Sequence, residues 1–329
     1  MKTILNLTQA FSLMPLLCLT ACASAPNGSG AATALEFTAG SATKGAPTNM
    51  NYNTTPTQYV DVEGIKYAYR TLGAGTDAPP LLLLQHFTGT MDDWDPKLVE
   101  GLALHRRVIV FDNAGVGRSG GTTPDSVQGT AQHVEALCDA LKLEQVDLLG
   151  FSLGGFVAQQ MLFERPNRIR KVILVGTGPQ GGTGIKDLQA VMETAMKKGS
   201  EQRVHPKTVL FFSETKNGKN AAAAFMDRIG KHTVDADPPV SNETMQAQAK
   251  AIVTWGSVPP NDGKLQGIRQ PVLIVNGSND VMVPTSNSVA MFQQIPSAQL
   301  ALYPDSGHGA LFQYHDQFVA LADTFLRAP

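Results

Sequence analysis

Gly150-Phe151-Ser152-Leu153-Gly154-Gly155 follows an apolar run, Val146 to Leu149, and opens a helical pattern over Leu153 to Phe163. A serine in so tight a strand-to-helix turn is held in strained geometry with its hydroxyl projecting from the sheet, as attack on a carbonyl carbon requires. Side chains two residues to either side would collide with neighbouring backbone, and Gly150 and Gly154 remove those collisions. The helix after Ser152 also turns its unpaired amides and positive dipole end toward the hydroxyl, favouring negative charge that develops there. The chemistry this spacing allows is acyl transfer by a serine nucleophile. The GxSxG string alone is weak evidence because glycine and serine are common; the strand before it and the helix after it give it weight. There is no HExxH, no Asp-rich calcium loop, no glycine-rich dinucleotide loop after the first strands, and no cysteine pair beyond the N-terminal segment. Serine chemistry without a metal or a cofactor is therefore expected.

To hold such a turn, the chain needs a sheet. Continuous or nearly continuous apolar runs lie at Leu81 to Gln85, Arg107 to Phe111, Val146 to Leu149, Val172 to Val175, Val272 to Val275 and Gln299 to Tyr303, the pattern of strands covered on both faces. Tyr59 to Val62 and Ile65 to Arg70 flank Glu63-Gly64 as an opening hairpin. Helical patterns near Pro96 to Leu104, Ser126 to Leu141, Leu153 to Phe163, Thr285 to Gln294 and His315 to Leu326 alternate with the runs. This is an α/β chain with a mostly parallel sheet and helices on both faces. Ligands bind such sheets at the carboxyl ends of the strands. Between two strands, residues 178–270 far exceed an ordinary crossover and carry helical patterns at Lys186 to Lys198, Ala221 to Lys231 and Asn242 to Thr254. An inserted helical cap over the strand ends is expected.

From Tyr59 to the C-terminus the sequence resembles the α/β-hydrolase family. The resemblance implies a triad in the order nucleophile, acid, histidine, the last two in loops after late strands. Asn276-Gly277-Ser278-Asn279-Asp280-Val281-Met282-Val283-Pro284 looks like the family's acid loop, with Asp280 as the carboxylate, and Pro304-Asp305-Ser306-Gly307-His308-Gly309 is similar to its histidine loop. Asp305 competes for the acid role, though its place three residues from His308 is cramped for an orienting partner. Among the seven histidines only His308 has both the right order and the right loop; His315 starts the last helix, and His105, His133, His205 and His232 lie in helical or cap segments. His308 would take the Ser152 proton, and Asp280 would fix the imidazole tautomer.

The resemblance further implies an oxyanion hole from two amides, Leu153 N–H and one from His86-Phe87-Thr88-Gly89-Thr90, assigned to Phe87. Phe87 stands where the family commonly has glycine and adds bulk beside the acyl pocket; His86 is expected to brace the loop. Asp112-Asn113-Ala114-Gly115-Val116-Gly117-Arg118-Ser119 resembles a family turn, with Ala114 where arginine is usual, and is expected to be architectural. Trp255 and Met192, with Trp94, Met196 and Met245, are candidates either for an apolar substrate pocket or for plain core. A serine nucleophile argues against the haloalkane dehalogenase and epoxide hydrolase branches, which use aspartate. The cap-bearing esterases and cofactor-free haloperoxidases are the most similar branch, implying a carboxylesterase for small or medium apolar acyl esters. Perhydrolase or lactonase activity on the same site is the first alternative, and a catalytically idle binding protein is the second.

Ahead of this domain the first 21 residues read as a signal peptide, with Lys2 and an apolar stretch from Phe11 to Leu19 too short to span a bilayer. Leu19-Thr20-Ala21-Cys22 resembles the bacterial lipoprotein signal, which implies a lipid anchor on Cys22, and Ala23 in place of Asp implies the outer membrane; the other partner expected, from the hydrolase resemblance, is a small-molecule ester substrate. Two or more acyl chains hold a protein stably where one does not. From Ala23 to Thr55, 27 of 33 residues are Ala, Ser, Gly, Thr, Pro or Asn, so 22–55 is expected to be a tether and 56–329 the folded domain. A net charge of −2 without a basic run argues against nucleic acid as a partner, and the three cysteines, Cys18, Cys22 and Cys138, cannot form a disulfide framework.

Overall fold

The structure, a computed structural model, describes residues 50–74, 78–259 and 263–328. The signal peptide, Cys22 and the tether up to residue 49 lie outside the described residues. The packed chain reaches back at least as far as Met50, ahead of the Pro56 boundary expected from composition. Tyr52 is the cause: this aromatic residue is 1% exposed, its hydroxyl donates to the Met91 carbonyl at 2.6 Å, and its amide donates to Glu100 Oε1 at 2.9 Å.

Eight strands form one sheet among the described residues: β1 (Gln58–Val62), β2 (Ile65–Leu72), β3 (Leu81–Leu84), β4 (Val108–Phe111), β5 (Val146–Phe151), β6 (Ile169–Val175), β7 (Val272–Gly277) and β8 (Ala298–Tyr303). Their order is β1-β2-β4-β3-β5-β6-β7-β8, antiparallel through β2 and parallel from β4 onward. Glu63 and Gly64 both have positive φ, 53° and 83°, the type I′ turn that matches strand twist. Leu81–Leu84, Val108–Phe111, Val146–Phe151 and Val272–Gly277 are buried at every position, as two-sided covering demands. β8 departs from that expectation. It is the edge strand, paired only with β7, and exposes Gln299 and Leu302.

Helices α1 (Pro96–Ala103), α2 (Val127–Ala140), α3 (Leu153–Glu164), α8 (Ser286–Gln294), α9 (Ala310–Gln313) and α10 (His315–Arg327) flank the sheet. Asp95 and Ser126 cap the first two, accepting the Lys97 and Gly129 amides. Between β6 and β7 the inserted cap contains α4 (Leu188–Gln202), α5 (Pro206–Phe211), α6 (Lys216–Ile229) and α7 (Asn242–Ser257). The short α5 was not expected; its signals are Pro206 at the first turn and His205, whose Nδ1 accepts the Lys207 amide at 3.1 Å.

Charged pairs fasten the cap to the sheet domain. Arg228 Nε donates to Asp95 Oδ1 at 2.8 Å, and Lys207 pairs with Asp93. Asp92 and Asp237 exchange bonds: each carboxylate accepts the other's amide, at 3.3 and 2.6 Å. The fully buried Arg70 donates to Asp92 Oδ1 at 2.6 Å, which compensates charge where water is excluded.

Candidate active site

The serine turn is built as the glycine spacing requires. Ser152 directly follows β5 with φ 56° and ψ −117°, and the chain enters α3 after it. A Cβ on Gly150 would lie 2.5 Å from the Gly154 carbonyl oxygen, and one on Gly154 would lie 2.1 Å from that of Leu84. A non-glycine residue at such φ costs on the order of 1–3 kcal/mol and persists only where its surroundings over-determine it. Here they do: the Ser152 amide donates to the Val175 carbonyl at 2.9 Å, and the Ser152 carbonyl accepts from Gly155 N–H at 2.8 Å and Thr177 Oγ1 at 2.9 Å.

The loop after β7 places Asp280 beside the loop after β8. Asp280 Oδ1 accepts the amides of Met282 and Val283 at 2.8 and 3.0 Å, while Oδ2 accepts from His308 Nδ1 at 2.8 Å. A carboxylate only accepts, so the proton sits on Nδ1 and Nε2 is left as the free base. His308 Nε2 is buried and has no hydrogen-bond partner among the described residues. The imidazole packs against Phe151 and Phe211, with ring centres 5.0 and 5.7 Å away. The cap reaches this loop too, since the His308 and Gly309 amides donate to the Leu210 and Phe211 carbonyls at 3.2 and 2.9 Å.

Asp305, the competing acid, is turned elsewhere. It has φ 48°, accepts from Thr215 Oγ1 at 2.8 Å, and is held below the usual carboxylate range by the Thr215 and Ser213 hydroxyls. His315 pairs with Asp316 on the surface.

Ser152 and His308 line one cavity of about 390 Å³, roofed by the cap. Phe87, Met192, Leu210, Met245 and Met282 give it apolar walls, while His86, His205 and Lys207 add a polar side. The amides of Phe87 and Leu153 donate to no group among the described residues. His86 donates through Nδ1 to the Phe87 carbonyl at 2.9 Å, bracing the loop; burial, aided by the Lys207 charge, lowers its pKa to about 3. It is therefore neutral at physiological pH. Burial opposes ionisation of Asp93, yet the Lys207 charge and its hydrogen bond, with the Thr90 amide, outweigh it and hold the carboxyl below its ordinary value.

Trp255 must be reassigned. It stacks on Phe156 at 5.5 Å, donates to the Gly178 carbonyl at 3.4 Å, and borders a different groove, with Ser126 and Phe163. Trp94 is fully buried beside Phe151 and Phe312, and Met196 is not part of the cavity wall. The Asp112 turn is architectural: its carboxylate accepts the Met91 and Arg118 amides at 2.8 and 3.0 Å. Burial pushes the Cys138 thiol up to about 12, which removes it as a nucleophile. Sequence reasoning missed His205, Lys207 and the strap residues Pro239 and Val240 as cavity wall. The only local signal was Pro206 at a helix start.

Comparison with known proteins agrees with this architecture. The alpha/beta hydrolase fold family matches residues 79–313. The putative carbamate hydrolase RutD of Rhizobium rhizogenes is 26% identical over 258 residues, 77% of this chain and 94% of the relative. The pimeloyl-(acyl-carrier protein) methyl ester esterase of Nitrosomonas europaea is 28% identical over 255 residues, 75% of this chain and 95% of the relative. A solved alpha/beta hydrolase fold protein from Chitinophaga pinensis superposes with a TM-score of 0.80 at 41% identity, covering 85% of this chain and 100% of the other.

Proposed function

The chain belongs to the α/β-hydrolase fold family, and on that premise we propose that it is a serine hydrolase that cleaves carboxylic esters of small or medium acyl chains. The observation that carries this reading is Ser152, on a positive-φ turn, sharing one buried cavity with His308, whose Nδ1 is held by Asp280. As Ser152 Oγ attacks the carbonyl carbon, its proton passes to His308 Nε2, and Asp280 stabilises the resulting imidazolium. The Phe87 and Leu153 amides receive the oxyanion. The tetrahedral adduct collapses, the alcohol leaves with the proton from Nε2, and an acyl-serine remains. Water then gives a proton to Nε2 and attacks the acyl carbon. The acid departs and Oγ recovers its proton.

Two named relatives support a carbonyl substrate of this type: one is called a methyl ester esterase, the other a putative carbamate hydrolase. The apolar walls and the volume of about 390 Å³ favour a modest acyl group over a long lipid chain. Covalent labelling of Ser152 by a fluorophosphonate tests the reading. We place the enzyme at the outer membrane of a Gram-negative cell, held by acyl chains on Cys22, on the strength of Leu19-Thr20-Ala21-Cys22 and the polar stretch that follows.

A further inference from the structure

Residues 86–89 form a small closed loop whose amide planes are fixed one by one. In the plane joining His86 to Phe87, the His86 carbonyl accepts the Gly89 amide at 3.1 Å. A trans peptide directs its N–H opposite to its carbonyl, so the Phe87 N–H points away from that bond and stays unpaired. In the next plane, the Phe87 carbonyl accepts from His86 Nδ1 at 2.9 Å and from Thr88 Oγ1 at 2.7 Å. Every one of these partners belongs to the loop itself. The base of the loop is closed by Gln85, which accepts the His86 amide at 2.9 Å and donates to the Thr90 carbonyl at 2.7 Å.

One bond comes from outside. The Thr88 N–H donates to Gln248 Oε1 at 2.8 Å, across 160 residues of sequence, and Gln248 is 4% exposed on the cap helix α7. Thr88 has φ 58°, a left-handed conformation that is an outlier for a β-branched residue. It needs an external hold, and among the described residues Gln248 is the one hydrogen-bond partner of residues 86–89 that lies beyond residues 85–90.

We propose that Gln248 is a positioning residue for the oxyanion hole: by accepting the Thr88 amide it fixes the loop that presents the Phe87 N–H to the reacting carbonyl. This rests on the ester-hydrolase reading and deepens it, because it makes the cap a part of transition-state binding and not only a roof. Without the acceptor, the Phe87–Thr88 plane is free to turn and relieve the positive φ of Thr88; that displaces Gly89, whose amide bond to the His86 carbonyl is what holds the plane carrying the Phe87 N–H. The loss falls on kcat, since an oxyanion donor is engaged in the transition state more than in the bound ester.

The test uses the full chain, p-nitrophenyl butyrate as substrate, and an alkyl boronic acid, whose tetrahedral adduct with a serine mimics the oxyanion. Gln248→Met removes the acceptor at similar volume, Gln248→Asn keeps the amide but falls short, and Gln248→Glu retains an oxygen at the same reach. Met and Asn should each lower kcat roughly 10- to 100-fold with KM within about threefold of wild type, and weaken boronate binding by a similar factor. Glu should restore kcat to within a few-fold. Wild-type kcat and boronate affinity in a folded Met or Asn variant would overturn the proposal, as would a loss confined to KM or a Glu variant as slow as Met. A wild-type chain that neither turns over the ester nor binds the boronate would overturn the ester-hydrolase reading itself, and this inference with it.

Discussion

His86 is held neutral in the wall of the cavity, with its pKa at about 3 because burial disfavours the cation. An unfolded histidine takes its proton near pH 6.5, so between that pH and about 3 the unfolded chain binds a proton that the folded chain refuses. Stability from this group is therefore fully present above pH 6.5 and is lost as pH falls. His86→Asn keeps an N–H that can reach the Phe87 carbonyl and cannot titrate. Chemical denaturation at pH 7 and pH 5 should show the wild type losing about 2 kcal/mol more than His86→Asn over that interval. Equal losses in the two proteins would contradict a neutral, buried His86. At this scale, what is contiguous in the chain is legible and what is remote is not. The Ser152 turn could be read because strand, glycines and helix adjoin. The choice between Asp280 and Asp305 hangs on a contact 28 residues away, and it is Asp280 whose carboxylate reaches His308. Gln248 carries no local signal, because its partner lies 160 residues earlier.

Among the elements, buried strands are read as apolar runs because both faces must be covered. β8 breaks the rule because an edge strand has one neighbour and half of it meets water. Helix α5 escaped because six residues are too few for a helical period to register. Trp255 stays open between pocket and core in the sequence for a related reason: periodicity tells that a helix face is buried, not whether it is buried against the cavity or against α3. Its stacking on Phe156 and the position of Met192 in the cavity wall separate the two residues experimentally. Met192→Ala should shift the preferred p-nitrophenyl ester toward longer acyl chains with little change in melting temperature. Trp255→Ala should cost about 3–5 kcal/mol of stability and leave the chain-length profile unchanged. A stable Trp255→Ala with altered selectivity, or a Met192→Ala profile identical to wild type, would reverse these assignments.

At the scale of the whole molecule, the proposed catalytic residues Ser152, Asp280 and His308 lie more than a hundred residues along the sequence from Cys22, so the proposed lipid attachment and the proposed chemistry are separable by mutation. Cys22→Ala should block acylation and signal processing while purified protein keeps wild-type ester turnover; mass spectrometry of the mature N-terminus reads this directly. An unmodified terminus cut elsewhere in the wild type would replace the anchor with an ordinary secretory signal. The central claim is the nucleophile. Fluorophosphonate treatment of the folded chain, followed by intact-mass and peptide-mapping mass spectrometry, should give one adduct per molecule on Ser152, with labelling slowed by orders of magnitude in His308→Ala. An adduct on another residue, or none on protein that melts cooperatively, would contradict a serine hydrolase built on Ser152.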